Sequence, residues 1–505
     1  MSEHYIRKIL RAQVYDLAVK TPLEEAPIMS KRLNNNVLFK REDLQPVFSF
    51  KLRGAYAKIK QLAPEQAEKG VICASAGNHA QGVAMSAKHL GIRAVIVMPK
   101  TTPDIKVRSV RERGGRVVLH GDSFDEALEH ARMLEERDGL TFVHPYDDPD
   151  VIAGQGTIAL EIMQQHSGKV DAIFVPVGGG GLAAGVAVYM KCVYPEVKII
   201  AVEPEDSACL KAAMESQRRV TLSDVGLFAD GVAVKQIGKE TFKILRECID
   251  EVVTVTTDEL CASVKDIFED TRSIAEPAGA LALAGMKKWV AEHNVSEQTL
   301  IAVQSGANIN FDRLKHIAER TELGEQREAI LAVTIPERPG SFRQFCRIVG
   351  KRAITEFNYR YRSEASATVF VGVQVQPGSD DLAELIQALE EKEYPVVNLT
   401  QNEMAKLHVR HMVGGYAQFN GVNELVYRVE FPERPGALLK FLSALKGRWN
   451  ISLFHYRNHG AAYGRVLVGW QVPKGEITEF RKEIKELEYP IREETDNPAY
   501  TLFLG

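Results

Sequence analysis

The sequence predicts an α/β body built on mostly parallel sheets, followed by two small α+β modules. Three observations predict it. From Val71 to about Asn310, short β-branched apolar runs alternate with helical stretches. Around Ile317–Glu328 that alternation stops in a charged stretch. Beyond it the chain repeats itself, Ile335-Pro-Glu-Arg-Pro-Gly340 recurring as Phe431-Pro-Glu-Arg-Pro-Gly436.

In chain order, the run 71–75 reads as a strand before a helix over 79–89. The run 94–98 precedes a helix over 104–113, and 116–120 precedes one over 123–136. Further strands are read at 172–177, 198–202 and 299–303. Nearly continuous apolar strands separated by helices imply sheets covered on both faces. Catalytic loops are then expected at the carboxyl ends of the strands.

The repeat extends well past the Pro-Glu-Arg-Pro-Gly turns. Phe357-Asn-Tyr-Arg360 returns as Phe454-His-Tyr-Arg457, Val371–Val375 as Val468–Val472, and Tyr394-Pro395 as Tyr489-Pro490. Each copy reads strand, helix (341–350; 437–446), strand, strand, helix, strand, the ferredoxin-like order. The expected division is a body over 1–318, a linker over 319–328, and modules over 329–415 and 423–505.

The 505 residues are 45% hydrophobic and 26% charged with a formal charge of -4. That is a globular composition with no basic patch for nucleic acid or anionic lipid. Six scattered cysteines without paired spacing read as reduced, mostly buried thiols. The start carries no signal-peptide core, and no apolar run reaches membrane-spanning length, so the expected address is the cytoplasm. No metal is expected.

Lys51 carries the chemistry. After Pro46 the chain reads as extended, and Ser49 is expected to cap a helix running from near Phe50 through Lys60. Lys51 then lies in a first helical turn among Phe48, Phe50 and Leu52. The helix dipole and the apolar surroundings both disfavour an ammonium there, leaving an amine able to attack a carbonyl carbon. The alternative is a surface lysine on an amphipathic helix, and three further stretches weigh against it.

The first is Ser75-Ala-Gly-Asn-His79, a turn from strand to helix whose free amides suit a carboxylate, with Asn78 able to bond a phenolate-type oxygen. A helix cap with incidental glycines would read the same. The second is Gly178-Gly-Gly-Gly-Leu182, where four glycines let backbone amides wrap a phosphate. Gly178, Gly180 and Ala183, with Glu203 ending the next strand, also fit a loose dinucleotide fingerprint, the rival reading of an NAD-dependent oxidoreductase. The third is Ser305 after the strand 299–303, a hydroxyl able to meet a ring nitrogen or simply to form a turn. Glu276, at a helix start, is a candidate carboxylate for the same cleft.

Together these motifs (S-F-K-L-R-G-A at 49–55, S-A-G-N-H-A-Q-G at 75–82, G-G-G-G-L at 178–182, S-G-A-N at 305–308) resemble pyridoxal 5′-phosphate (PLP) enzymes of fold type II, the tryptophan-synthase-β-like group. Serine racemases and serine dehydratases share them. The doubled repeat, which resembles ACT-like regulatory modules, makes the whole chain similar to the biosynthetic threonine ammonia-lyase (threonine deaminase) family. The resemblance implies that Lys51 is the covalent anchor and the acid/base at Cα. It implies that Phe50, Asn78, Gly178, Gly179, Gly180, Gly181, Leu182 and Ser305 hold the cofactor, and that Ser75, Ala76, Gly77, Asn78 and His79 hold the substrate. Deamination of L-threonine to 2-oxobutanoate and ammonia is the implied reaction, committed toward isoleucine, with L-serine to pyruvate as a side activity. Isoleucine as inhibitor, valine as antagonist and a homotetramer are likewise implied. Ala76 stands where serine racemases carry a serine, and alanine cannot transfer a proton. Tyr359, Arg360, Tyr456 and Arg457 occupy equivalent repeat positions and are candidate effector contacts; repeat packing would equally account for them.

Overall fold

The computed structural model describes residues 2–324, 327–336, 345, 348–350, 352, 354–361, 366–376, 378–411, 422–432, 449–457, 463–487 and 489–504. The chain divides into two compact units, Met1–Thr321 and Glu322–Gly505.

Two sheets build the first unit. Strands β1 (Leu23–Glu25), β2 (Asn36–Arg41), β7 (Ala172–Pro176), β8 (Lys198–Pro204), β9 (Glu251–Val255) and β10 (Thr299–Gln304) form a sheet in the order β1-β2-β10-β7-β8-β9. All its pairs are parallel except β1 with β2. Strands β3 (Val71–Ala74), β4 (Ala94–Met98), β5 (Arg116–Leu119) and β6 (Thr141–Phe142) make a second, wholly parallel sheet, ordered β5-β4-β3-β6. Strands β3, β4 and β7 are buried along their whole length, as their unbroken apolar runs require.

The helix Lys51–Lys60 packs between the helices Asn78–His89 and Pro149–Gln165. A Cβ on Gly82 would stand 3.2 Å from the Lys51 backbone, so the helix that begins at Asn78 passes directly over Lys51. Ser49 does not cap the Lys51 helix as expected. No side chain caps it, and Phe50 at the N-cap already has helical torsions. Backbone pairing takes over instead. Ser49 bridges Gly306, Phe50 N donates to Ser305 O at 3.2 Å, and Ala307 N donates to Phe48 O at 2.9 Å. This stitching sets Lys51 beside the carboxyl end of β10.

Beneath that helix lies a fully buried ionic network. Arg53 donates to Glu42 Oε2 and Oε1, both at 2.7 Å, and to both Glu161 oxygens at 2.5 and 2.9 Å. Lys40 Nζ reaches Glu161 Oε2 at 2.6 Å. Two cations face two carboxylates, so the network balances without water.

The cysteine expectation holds in part. Cys73, Cys209 and Cys261 are buried, but Cys192 is exposed near the end of its helix.

The charged stretch after the body is helical as far as Gly324, within the helix Arg313–Gly324. The second unit then holds two four-stranded antiparallel sheets. Strands β11 (Glu328–Pro336), β12 (Ile354–Tyr361), β13 (Ser366–Gln374) and β14 (Val396–Asn398) run in the order β12-β13-β11-β14. Strands β15 (Val422–Pro432), β16 (Asn450–Arg457), β17 (Tyr463–Pro473) and β18 (Ile491–Glu493) repeat it as β16-β17-β15-β18. Even the register shift recurs, between Ile354 and Glu356 and between Ile451 and Leu453. The Pro-Glu-Arg-Pro-Gly turns and most of the two helices expected after them lie outside the described residues.

Alternation along the strands gives each sheet two buried faces. Leu331 and Val333 pack toward Leu385 and Leu389 of the helix Asp381–Glu390, while Ile330 and Ala332 join Val426 and Leu467 in a core shared by both modules.

Candidate active site

Strand ends converge on one cleft in the first unit. The turn after β3, the loop after β6, the glycine run after β7 and Ser305 after β10 meet the segment that leads from β2 to Lys51. Phe50, Lys51, Asn78, Gly178, Gly179, Gly180, Gly181, Leu182 and Ser305 all line it, joined by Tyr146, Val232 and Glu276.

Lys51 is the first residue of its helix, and its Nζ donates to the Pro145 carbonyl at 3.0 Å. Burial lowers its pKa to about 8, against the opposing pull of Glu276. A useful fraction is therefore the neutral, nucleophilic amine near neutral pH.

The glycine run turns through Gly180, with φ 93° and ψ -2°, into the helix Gly181–Val193. A Cβ on Gly179 would stand 2.2 Å from the Tyr146 ring, and one on Gly178 would stand 2.9 Å from the Val232 backbone. Thr241 Oγ1 donates to the Gly179 carbonyl at 2.8 Å and pins the loop. The opening amides of a helix have no intrahelical partner, so this bare helix start offers donors suited to an anion such as a phosphate. These donors and a desolvated lysine in one cleft fit a molecule bearing a phosphate and an aldehyde, as PLP does.

In the turn after β3, Ser75 Oγ accepts from Gly77 N at 3.3 Å, and nothing lies within 4 Å of where a Gly77 Cβ would be. The helix Asn78–His89 starts there. Ala76 packs against the core of the second sheet. His79 turns its ring away, with Nε2 2.8 Å from the Val143 carbonyl, and burial, then Lys51, hold its pKa down to about 3. Its Nε2 is therefore committed to the main chain. Ser305 is buried and donates to the Ala278 carbonyl at 3.2 Å.

Glu276 stands at the N-cap position of the helix Pro277–His293 without a side-chain cap bond, and its carboxyl instead accepts from Asn78 Nδ2 at 2.6 Å. Burial, then the negative charge of Asp230, raises its pKa to about 7. The sequence reading missed Tyr146, which lies in the loop after β6, a strand of two residues too short to read from the sequence. It also missed the Arg53 network, because nothing local pairs residues so far apart in sequence.

Glu203, the acidic residue of the dinucleotide alternative, accepts from Leu210 N at 2.7 Å and Lys211 N at 2.9 Å. It caps a helix and is not free for a ribose. In the second unit, Tyr359 and Arg360 lie on β12 opposite Val369 and Thr368, and Tyr456 and Arg457 lie on β16 opposite Val466 and Arg465. The candidate effector contacts of these four side chains lie outside the described residues.

Comparison with known proteins agrees with the geometry. Residues 14–306 match the family of pyridoxal-phosphate dependent enzymes, and residues 319–409 and 416–504 each match the C-terminal regulatory domain of threonine dehydratase. The chain is 55% identical to the biosynthetic L-threonine dehydratase IlvA of Burkholderia multivorans, over 100% of both chains. It is 51% identical to the chloroplastic biosynthetic threonine dehydratase of Arabidopsis thaliana, over 99% of this chain and 84% of that one. The solved structure of the processed form of threonine deaminase isoform 2 from Solanum lycopersicum matches with 48% identity and a TM-score of 0.63. That match covers 64% of this chain and 88% of the other. The chain belongs to the biosynthetic threonine dehydratase family, a PLP-dependent catalytic domain of fold type II carrying a doubled regulatory domain.

Proposed function

We propose that this chain is a PLP-dependent lyase that converts L-threonine to 2-oxobutanoate and ammonia, the committed step toward isoleucine, and acts more slowly on L-serine to give pyruvate. The observation that carries it is a desolvated Lys51 facing a bare glycine cradle in a chain that is similar along its whole length to biosynthetic threonine dehydratases.

Bound PLP supplies an electron sink that acidifies the hydrogen on Cα of the amino acid. The chain supplies the rest. Lys51 holds the cofactor, takes the proton from Cα and passes it to the departing β-hydroxyl. The amides of Gly178–Leu182 bind the phosphate, and those of Ser75–His79 bind the substrate carboxylate. Asn78 bonds the 3′-oxygen, and Phe50 walls the site. Ser305 offers the ring nitrogen a neutral hydroxyl in place of an anion. With the α-proton removed, the β-hydroxyl leaves as water; the resulting enamine tautomerises to an imine, and water hydrolyses it to the 2-oxo acid and ammonia. Ala76 provides no second base on the other face of Cα, so the chain does not racemise.

The modules, placed at 329–415 and 423–505 beyond a body over 1–318 and a connecting stretch over 319–328, take isoleucine as inhibitor and valine as its antagonist. Tyr359, Arg360, Tyr456 and Arg457 are the proposed contacts. The effectors act by biasing a two-state equilibrium in a cytoplasmic homotetramer. No helix among the described residues is long and apolar enough to cross a membrane. The test is the initial rate of 2-oxo acid release across an L-threonine titration, with and without isoleucine. A sigmoidal, right-shifted curve with isoleucine is expected. No turnover from PLP-loaded protein would overturn the substrate, and turnover indifferent to isoleucine would overturn the effector.

A further inference from the structure

We propose that Asn308 and Glu276 are positioning residues that clamp the Asn78 carboxamide in one orientation, leaving its second Nδ2 hydrogen for the 3′-oxygen of PLP. This rests on the reading of Asn78 given above.

The clamp follows from three hydrogen bonds and one backbone carbonyl. The Val47 carbonyl can only accept, so the end of Asn308 that faces it at 2.7 Å is Nδ2. The same Nδ2 lies 2.7 Å from Asn78 Oδ1. The oxygen of Asn78 is thereby turned to Asn308, and its nitrogen to Glu276 Oε1 at 2.6 Å. One main-chain acceptor sets the flip of both amides, an assignment that otherwise has to be inferred. Glu276 is held in turn, because its backbone N donates to the Gly306 carbonyl at 3.1 Å. A Cβ on Gly306 would stand 2.6 Å from Glu276 Oε1, so the missing side chain makes room for the carboxyl.

An unclamped carboxamide can present its oxygen as readily as its nitrogen. Its oxygen would meet the cofactor's 3′-oxygen acceptor to acceptor, and the bond would be lost. Holding the amide beforehand removes that wrong state and the entropy of choosing. Val47 also precedes the segment that delivers Lys51, so the clamp ties the asparagine to the strand ends that place the lysine.

The test measures the dissociation constant of PLP from the full-length protein and the absorption band of bound PLP, for Asn78→Ala, Asn308→Ala and the double variant. Asn308→Ala is expected to weaken PLP about tenfold and to shift the band, the effect of losing one well-formed hydrogen bond. In the Asn78→Ala background it is expected to add less than about twofold, because the two act as one unit. An unchanged constant and band in Asn308→Ala, or the same tenfold loss in both backgrounds, would overturn the clamp. If Asn308→Ala does not fold, Glu276→Ala runs the same cycle with the same expected pattern. An Asn78→Ala variant with unaltered PLP binding would instead remove the reading of Asn78, and the clamp with it.

Discussion

The Tyr146 ring occupies the place of a side chain on Gly179, an ideal Cβ there standing 2.2 Å from Tyr146 Cδ1. Gly179→Ala therefore has to displace either the ring or the loop. We expect PLP affinity to fall at least about tenfold, with part of the loss recovered in Gly179→Ala/Tyr146→Ala. Fluorescence titration of the stripped protein with PLP checks it.

Lys51 loses its proton near pH 8 because burial disfavours the ammonium. Only the free amine attacks an aldehyde, so the rate of PLP capture should climb as pH rises through about 8 and level off above it. A rate still climbing toward pH 10 would contradict the buried-amine account. Lys51→Ala should give no pyridoxyl adduct after borohydride reduction, as read by peptide mapping.

Glu161 balances Arg53 and Lys40 at the bottom of the buried network. Glu161→Ala leaves two cations facing the single carboxylate Glu42, and breaking a buried pair this way costs roughly 3–5 kcal/mol. A lower denaturation midpoint at unchanged slope is the expected signature.

Glu276 titrates near pH 7 in the folded chain, against about 4.5 in an unfolded one. A raised carboxyl pKa means that the folded state holds the proton longer. Its contribution to stability is full below about pH 4.5 and is lost as pH rises through about 7. Melting PLP-free wild type and Glu276→Gln side by side from pH 5 to 8 should show the wild type losing stability relative to the variant. Parallel curves would mean that Glu276 is not protonated in the fold.

Much of the body was legible because its signals are local. The runs at 94–98 and 172–177 became β4 and β7 within a residue, since a strand covered on both faces must be apolar throughout. Ser123 caps its helix as a serine should, accepting from Glu126 N at 3.3 Å. Ser49, in the same sequence role before Phe50, does not. There the partners are the backbone groups of residues 305–307, and no short window reveals a pairing of that span.

His79 and Glu276 show the same limit at the site. The sequence placed His79 in a substrate turn, yet the fold spends its ring on the Val143 carbonyl. Glu276 read as a helix start and a candidate carboxylate for the cleft, but only the fold supplied its partner, Asn78 at 2.6 Å.

By itself the sequence determined the parallel α/β body, the doubled ferredoxin-like repeat, and which loops carry the lysine, the glycine cradle and the serine. Those follow from periodicity and from residue types whose chemistry is written in a few adjacent positions. Tertiary structure alone decided which groups meet: the Tyr146 ring against the Gly179 backbone, Glu276 and Asn308 on Asn78, Arg53 between Glu42 and Glu161. The reason is physical. Burial and long-range hydrogen bonding set the orientation, protonation and reach of these groups, and both depend on neighbours that arrive from distant strands.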